Sequence, residues 1–476
     1  MLEIFILLSK YLFTIYMAVF LLCGLIINLS REELISPNEN FLAGIQRILV
    51  MLFHITAFII LIFNDKETPQ VMLFFGCVTG LYIIVAMILC TKIYKKSSAV
   101  LYNGIFFLCD IGLVMLTRLD NTLASKQFMW CVLGLTALLI LPVILNMMPR
   151  LDSFKVLYGL LAIVLLGATL ALGTNLYGST NWISIGPIAF QPSEVVKLLF
   201  VFFLASSLSQ KPVLRDLVAP TIVSAIIILC LVAQKDLGSA LIFAITFLIV
   251  IYIATSNFLL FTGGLIVGCF AAVLGYLIFP HVQTRVNIWL NPWADVENGG
   301  YQIVQSLFAV GSYGLFGSGF TRGYADYIPV VERDFIFSAI CEELGVLFGI
   351  GLIFVFVMIF LECVRASLYS RSRFLTLLCA GLTSLITFQT FLIIGGDIKF
   401  VPLTGVTLPF VSYGGTSILM SFVIIATIQW IYMRNSIYKV DVPTEEKPAE
   451  KRQVRRAVPE PEPTRLAVPR RRRRDK

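Results

Sequence analysis

The chain has 476 residues, 58% hydrophobic and only 13% charged, with a mean hydropathy of +0.90. Soluble domains carry about 25% charged residues, so the composition excludes an ordinary soluble fold and points to an all-α polytopic membrane protein. The net charge of +8 implies no nucleic-acid partner, because it is concentrated at one end: Arg434–Lys476 holds 14 Lys/Arg against 7 Asp/Glu.

Apolar runs long enough to cross about 30 Å of hydrocarbon fall near 3–28, 44–63, 70–92, 99–117, 127–148, 154–175, 192–209, 216–234, 237–255, 257–280, 335–363, 374–394 and 414–433. The first is not a signal peptide: Glu3 stands where a basic region belongs, and no small-residue cleavage site follows. Lys92, Lys95, Arg150, Lys155, Lys211, Arg215, Arg365 and Arg373 fall in loops that span-counting places on one side, together with the basic tail. By the excess of Lys/Arg in cytoplasmic loops that side is the cytoplasm, which puts the N-terminus outside. Segments 176–191, 234–236, 281–334 and 395–413 then share the extracytoplasmic face. The ten cysteines lie in or beside apolar runs without CxxC spacing and read as small core residues. His54 and His281 alone cannot make a zinc site.

Charges within the runs are costly and face a cavity or a partner. Glu194 and Lys197, in PSEVVK, share a helix face at i and i+3. Asp236 opens another run from the same side, so the three are expected to form one ion-paired cluster, whose role is helix pairing or substrate contact. Glu342 and Glu343 either line a cavity or pair internally. Asp110 lies within a run with no partner evident from the sequence, and Lys10 should reach outward from the first run.

The longest interval between runs, 281–334, is too polar and glycine-rich to span a bilayer and too aromatic for a solvated linker. Asp334 ends it at the start of FIFSAICEELG, where a helix dipole would favour its ionised form. Segment 395–417, GGDIKFVPLTGVTLPFVSYGGTS, has glycines and prolines that would break a lipid-facing helix, so it should pack on protein or line a cavity. Beyond residue 435, proline alternates with charge, which predicts a disordered basic tail able to approach anionic lipid.

Five motifs in order, NWISIGPIAFQPSEVVK, QKDLGSA, WLNP…GYQIVQSLFAVGSYGLFGSG, DFIFSAICEELG and PLTGVTLPFVSYGGTS, resemble the SEDS family of shape, elongation, division and sporulation proteins (RodA, FtsW and SpoVE). The resemblance implies a ten-helix catalytic core over 99–434, preceded by about three extra helices in 1–98 and followed by the tail, 435–476. It implies a peptidoglycan glycosyltransferase that polymerises lipid II outside the plasma membrane, releasing undecaprenyl pyrophosphate and working with a class B penicillin-binding transpeptidase. Asp334 corresponds to the family's essential aspartate, and Trp182, Glu194, Lys197 and Asp236 to substrate-contacting positions. The chain departs from the family at Asn181, usually Arg; at Lys235, usually Pro; and in PVVERD, usually PExHTD.

Transfer to a sugar hydroxyl needs a base near the acceptor and positive charge near the departing pyrophosphate. Asp334 is the candidate base; the alternative is that it only caps a helix. Arg285, Lys399, Lys197, Arg322 and Arg333 lie on the correct side to supply charge. A divalent cation, Mg2+ or Mn2+, is compatible but has no sequence signature. A flippase for lipid II or another polar lipid is the alternative function. It would need polar residues through the full membrane depth, whereas here they gather toward the outer ends. A non-catalytic scaffold would make Asp334 dispensable.

Overall fold

Proline and short polar side chains set several helix starts. The computed structural model describes residues 2–30, 39–65, 67–95, 97–148, 150–176, 179–185, 188–370 and 372–437. The expected tail beyond 437 lies outside them. Pro69, Pro192 and Pro280 each occupy a first helical turn, where the missing amide has no partner to lose. Ser98, Asp120, Asp236 and Asn257 cap helices through side-chain oxygens that accept backbone N–H groups.

The helices are α1 Leu2–Ser30, α2 Glu39–Asn64, α3 Pro69–Ile93, α4 Ala99–Leu119, α5 Asn121–Met147, α6 Lys155–Leu172, α7 Pro192–Ser207, α8 Val218–Ala233 and α9 Leu237–Thr255. They continue with α10 Phe258–Ile278, α11 Pro280–Leu290, α12 Tyr301–Ser312, α13 Ile336–Leu344, α14 Val346–Leu368, α15 Arg373–Asp397 and α16 Gly415–Ile437. Among the described residues, 12 helices are long and apolar enough to cross a membrane. The run predicted at 192–209 forms the 16-residue α7, about 24 Å long at 1.5 Å per residue. It lies among α6, α9 and α15 with most of its side chains buried. Helix α10 buries none of its residues and presents Ile266, Phe270 and Leu277 outward, as a lipid-facing helix does.

One expectation needs correction. The run predicted at 335–363 is two helices, α13 and α14, broken at Gly345. There φ is +96°, and a Cβ would sit 2.4 Å from the Leu315 carbonyl oxygen, so only glycine fits. The fold is otherwise helical as expected, with one small exception. A small antiparallel sheet, β1 Thr174–Leu176, β2 Ser179–Ile185 and β3 Ile188–Phe190, fills the interval before α7. The long 281–334 interval, read as neither a span nor a solvated linker, is built around α11 and α12.

Helices α1–α3 pack on α4 and α14. The joint is polar and specific. Asp110, whose partner was not evident from the sequence, meets His54 of α2, with Nδ1 2.6 Å from Oδ1. The other ring nitrogen of His54 lies 2.9 Å from the Gly76 carbonyl oxygen on α3. Asn103 of α4 donates to the Ala43 carbonyl and to Gln46, and accepts from Arg47. Phe53 stacks on Phe348 and meets Phe107 edge-on in the apolar layer beside these bonds.

Candidate active site

The motif-bearing segments converge at one end of the bundle. Strand β2 reaches the turn before α9, where the Thr180 amide donates to the Gln234 carbonyl. The Asn181 amide then donates to Asp236 Oδ2 at 2.9 Å. Gln191 and Ser193 approach the same oxygen at 3.2 and 3.4 Å, while Asp236 Oδ1 accepts the Ser239 amide at 3.1 Å. Asp236 is thus the N-cap of α9 and the knot between sheet, α7 and α9. Side chains alternate along a strand, so Trp182 projects from the face of β2 opposite to Asn181. Its carbonyl accepts the Thr174 hydroxyl.

The expected three-membered ion cluster does not form as such. Lys197 Nζ pairs with Glu194 Oε1 at 2.7 Å and donates to Gln389 Oε1 at 2.9 Å. Gln389 passes the chain on by donating to the Thr407 carbonyl at 2.8 Å. Asp236 stays outside the pair because three side-chain donors and a helix amide already occupy it. Gln389 had gone unnoticed; an amide in the middle of an apolar run was the available signal. The pair ties α7 to α15 and to the irregular 398–414 segment, which packs inward as its glycines and prolines predicted.

Asp334 lies across from this knot. Its own segment is held by a hydrogen bond from the Tyr413 amide to the Glu332 carbonyl at 2.8 Å, and by Arg333 over the Tyr413 ring at 5.3 Å. Asp334 does not cap α13: Phe335 is the N-cap residue, and no side chain caps that end. Nor is the carboxyl held strongly acidic, as a helix dipole would suggest. Burial pushes its pKa up to about 6, with Arg333 and Arg285 opposing the rise and Glu332 adding to it. Asp334 is half-buried, and among the described residues its carboxylate accepts no hydrogen bond. Gly405, at φ +68°, brings backbone against it, so that a Cβ there would lie 3.8 Å from Asp334 Oδ2.

Arg285 of α11 links the two acids. It donates to the Leu403 and Thr404 carbonyls at 3.3 and 3.2 Å, and it feels the charges of both Asp236 and Asp334. Lys399 has a different place. Its Nζ lies 3.4 Å from the Leu290 carbonyl at the end of α11, and its own carbonyl accepts the Trp289 indole N–H. The structure therefore groups Asp334, Arg285 and Asp236, joins Glu194 to Lys197 behind them, and sets Trp182 and Lys399 at the margins.

Asp397, at the last turn of α15, was not singled out from the sequence. It is fully buried, and close enough to Asp334 for the two carboxyls to interact electrostatically. It lies near the Ser338 amide, although neither carboxylate oxygen reaches hydrogen-bonding geometry. A charge closing an apolar run, in GGDIK, was the signal for it.

The family model described as "Cell cycle protein", covering FtsW, RodA and SpoVE, matches residues 97–437. The chain belongs to this family. The peptidoglycan glycosyltransferase RodA of Mycobacterium tuberculosis is 33% identical over 348 residues, covering 67% of this chain and 74% of that protein. A chain from a structural study of how a peptidoglycan synthase complex coordinates polymerisation and crosslinking superposes with a TM-score of 0.61 at 24% identity, covering 71% of this chain and 98% of that one. RodA of Thermus thermophilus superposes with a TM-score of 0.52 at 22% identity, covering 71% and 96%. At those identities the superpositions establish the fold alone. This FtsW/RodA/SpoVE protein is a multi-pass membrane protein, and its helices α1–α3 precede the residues matched by the family model.

Proposed function

We propose that the chain is a glycosyltransferase that polymerises peptidoglycan glycan for cell elongation, division or sporulation, with lipid II as the substrate. The observation that carries this reading is the placement of Asp334, with a pKa pushed up to about 6, opposite a fixed cation, Arg285, in a member of this family. A carboxylate of that basicity is ionised at neutral pH yet accepts a proton more readily than an ordinary aspartate. Asp334 takes the proton from the acceptor sugar hydroxyl as its oxygen bonds to the anomeric carbon of the donor. The bond from that carbon to the lipid pyrophosphate breaks, and the electron pair leaves with the pyrophosphate. Arg285 supplies positive charge where negative charge accumulates. Trp182, Glu194, Lys197, Asp236 and Lys399 shape or line the substrate path, with Asp236 acting on Arg285 through its charge.

Among the described residues, no three His, Cys, Asp or Glu side chains cluster so as to hold a metal ion. The roles given above are those of this chain's own Asp334 and Arg285. The similar solved chain comes from a synthase complex that couples polymerisation to crosslinking. By analogy this chain is the polymerising member beside a class B penicillin-binding transpeptidase. Purified protein, with and without that transpeptidase, should convert lipid II to glycan polymer. Absence of polymer in both conditions, with movement of lipid II across vesicles instead, would identify a flippase.

The site faces outward in this reading, with the N-terminus outside and the C-terminus in the cytoplasm. A single cysteine near Leu2, in a chain cleared of native cysteines, should react with an impermeant thiol reagent on intact cells, and one near Pro461 should not. The reverse pattern would put the site on the wrong face for this chemistry.

A further inference from the structure

The other end of α13 carries a second cavity, of about 390 Å³, which the polymerising reaction leaves unused. Phe308, Tyr313, Tyr324 and Tyr327 form its walls and Glu342 contributes to its lining. Tyr324 and Tyr327 are stacked at 5.8 Å and remain 60% and 62% exposed. Glu342 is the opposite, only 4% exposed. Its Oε1 accepts the Tyr324 amide at 2.8 Å, but its buried Oε2 has no hydrogen-bond partner. A buried acceptor left unsatisfied is unfavourable, so a ligand that donates to it is favoured there.

Charge identifies the kind of ligand. Around Glu342 stand Glu343 and Asp326, and one guanidinium, Arg118, serves all three. It lies 3.2 Å from Glu343 and 3.6 Å from Asp326. An acidic cluster served by one cation, under electron-rich ring faces, suits a positive head group. A guanidinium would seek two carboxylate oxygens side by side, and here one is already taken by the Tyr324 amide. A compact ammonium needs only one.

We infer that this pocket binds a peptide-borne primary ammonium group, its aliphatic stem lying along the tyrosine rings that wall the pocket and its head on Glu342 Oε2. The site goes beyond the polymerising reaction, since Glu342 lies eight residues along from Asp334, about 12 Å at 1.5 Å per residue. The amine comes either from the peptide of the lipid-linked substrate or from a lysine of a partner protein.

The test titrates full-length protein in detergent with Nα-acetyl-lysine methylamide by calorimetry. The norleucine analogue, which keeps the stem without the charge, and chitobiose, which tests sugar stacking, serve as controls. The lysine probe should bind, and neither control should. Glu342→Gln, which keeps the Tyr324 bond but not the negative charge, should weaken the lysine probe at least tenfold. Tyr327→Leu, on the exposed rim, should do likewise if Glu342→Gln proves unstable. Equal binding of norleucine, binding of chitobiose alone, no binding of the lysine probe, or unchanged affinity in both variants would overturn the inference. Acetylating the peptide amine of lipid II separates the sources. A higher KM in the parent, absent in Glu342→Gln, assigns the amine to the substrate. An unchanged KM with the lysine probe still bound assigns it to a partner protein. The calorimetry does not depend on polymerisation, so its failure leaves the proposed function standing, and the converse holds.

Discussion

The two ends of α13 carry buried carboxyls that the fold treats in opposite ways. At the N-terminal end, Asp334 is half-buried, accepts no hydrogen bond among the described residues, and feels the charge of Arg285. At the C-terminal end, Glu343 is sealed. It accepts the Thr321 amide at 2.9 Å and pairs with Arg118, and Gly323 backbone presses against it so closely that a Cβ would lie 2.7 Å from its Cγ. One carboxyl is kept available, and the other is held in place. A buried acid is therefore no sign of a reactive site by itself; what distinguishes Asp334 is the lack of partners that would hold it still.

The largest effect should come from Asp334→Asn. Asparagine keeps the size and removes the base, so polymerisation should fall on the order of 100-fold or more. Thermal stability should not fall, because the carboxylate caps no helix and makes no hydrogen bond that folding depends on. A variant retaining near-parental polymer yield would end its role as the base and reopen the flippase reading.

Arg118→Ala should do the reverse at the other end. It strands Glu343 without its cation, which costs about 3–5 kcal/mol when a buried pair loses one partner. Folded yield and melting temperature should drop, while turnover per folded molecule changes little. Adding Glu343→Gln should recover part of the stability, because the Thr321 amide keeps its acceptor. If Arg118→Ala melts like the parent but loses turnover, the C-terminal end belongs to the reacting site and the contrast collapses.

Much of this contrast was legible in the sequence, and the remainder was not, for physical reasons. Apolar run length predicted the helices because the bilayer imposes it. The break at Gly345 was hidden because an apolar run does not reveal a backbone turn made by a single glycine within it. Asp334 was legible from its position between a polar interval and a helix, but its pKa was not. Helix-dipole reasoning favoured an acidic carboxyl, whereas burial among α11, the 398–414 segment and its own turn outweighs the dipole. Glu194 and Lys197 were paired correctly from their i, i+3 spacing, which is local. Asp236 was drawn into that pair wrongly, because its real partners, Asn181, Gln191 and Ser193, are set by tertiary approach of a sheet the sequence did not announce. The His54–Asp110 contact was unreadable for the same reason: 56 residues separate partners that meet only when α2 docks on α4.

A pH profile sharpens the comparison more gently. The rate should rise with pH through about 6 as Asp334 loses its proton. Stability should move the other way. Asp334 and Glu343 have folded-state values pushed up, to about 6 and about 7, above unfolded values near 3.8 and 4.5. The folded chain therefore holds more protons than the unfolded one between those limits, and stability falls as pH climbs through the window. Arg285→Gln removes a cation that favours ionised Asp334, so the acid limb of the rate should shift to higher pH. A shift of one unit corresponds to about tenfold in rate at the foot of that limb. An acid limb that stays in place would show that the group being titrated is not Asp334.

The smallest effect is expected from Asn181→Ala, at the position where the family usually has arginine. Asn181 is one of three side-chain donors approaching Asp236 Oδ2, and its loss leaves Gln191 and Ser193 on that oxygen and the Ser239 amide on the other. With those contacts intact, removing one hydrogen bond should cost about 1 kcal/mol, read as a drop of a few degrees in melting temperature. Turnover should change less than tenfold, since Arg285 keeps its bonds to the Leu403 and Thr404 carbonyls and so its position before Asp334. Asp236→Ala removes the N-cap of α9 and all of those donors' acceptor at once, and should cost several times more. If Asn181→Ala instead matches Asp334→Asn in lost turnover without a change in melting, then the asparagine amide touches the substrate directly. The reactive end of the molecule would then extend from α13 across to β2.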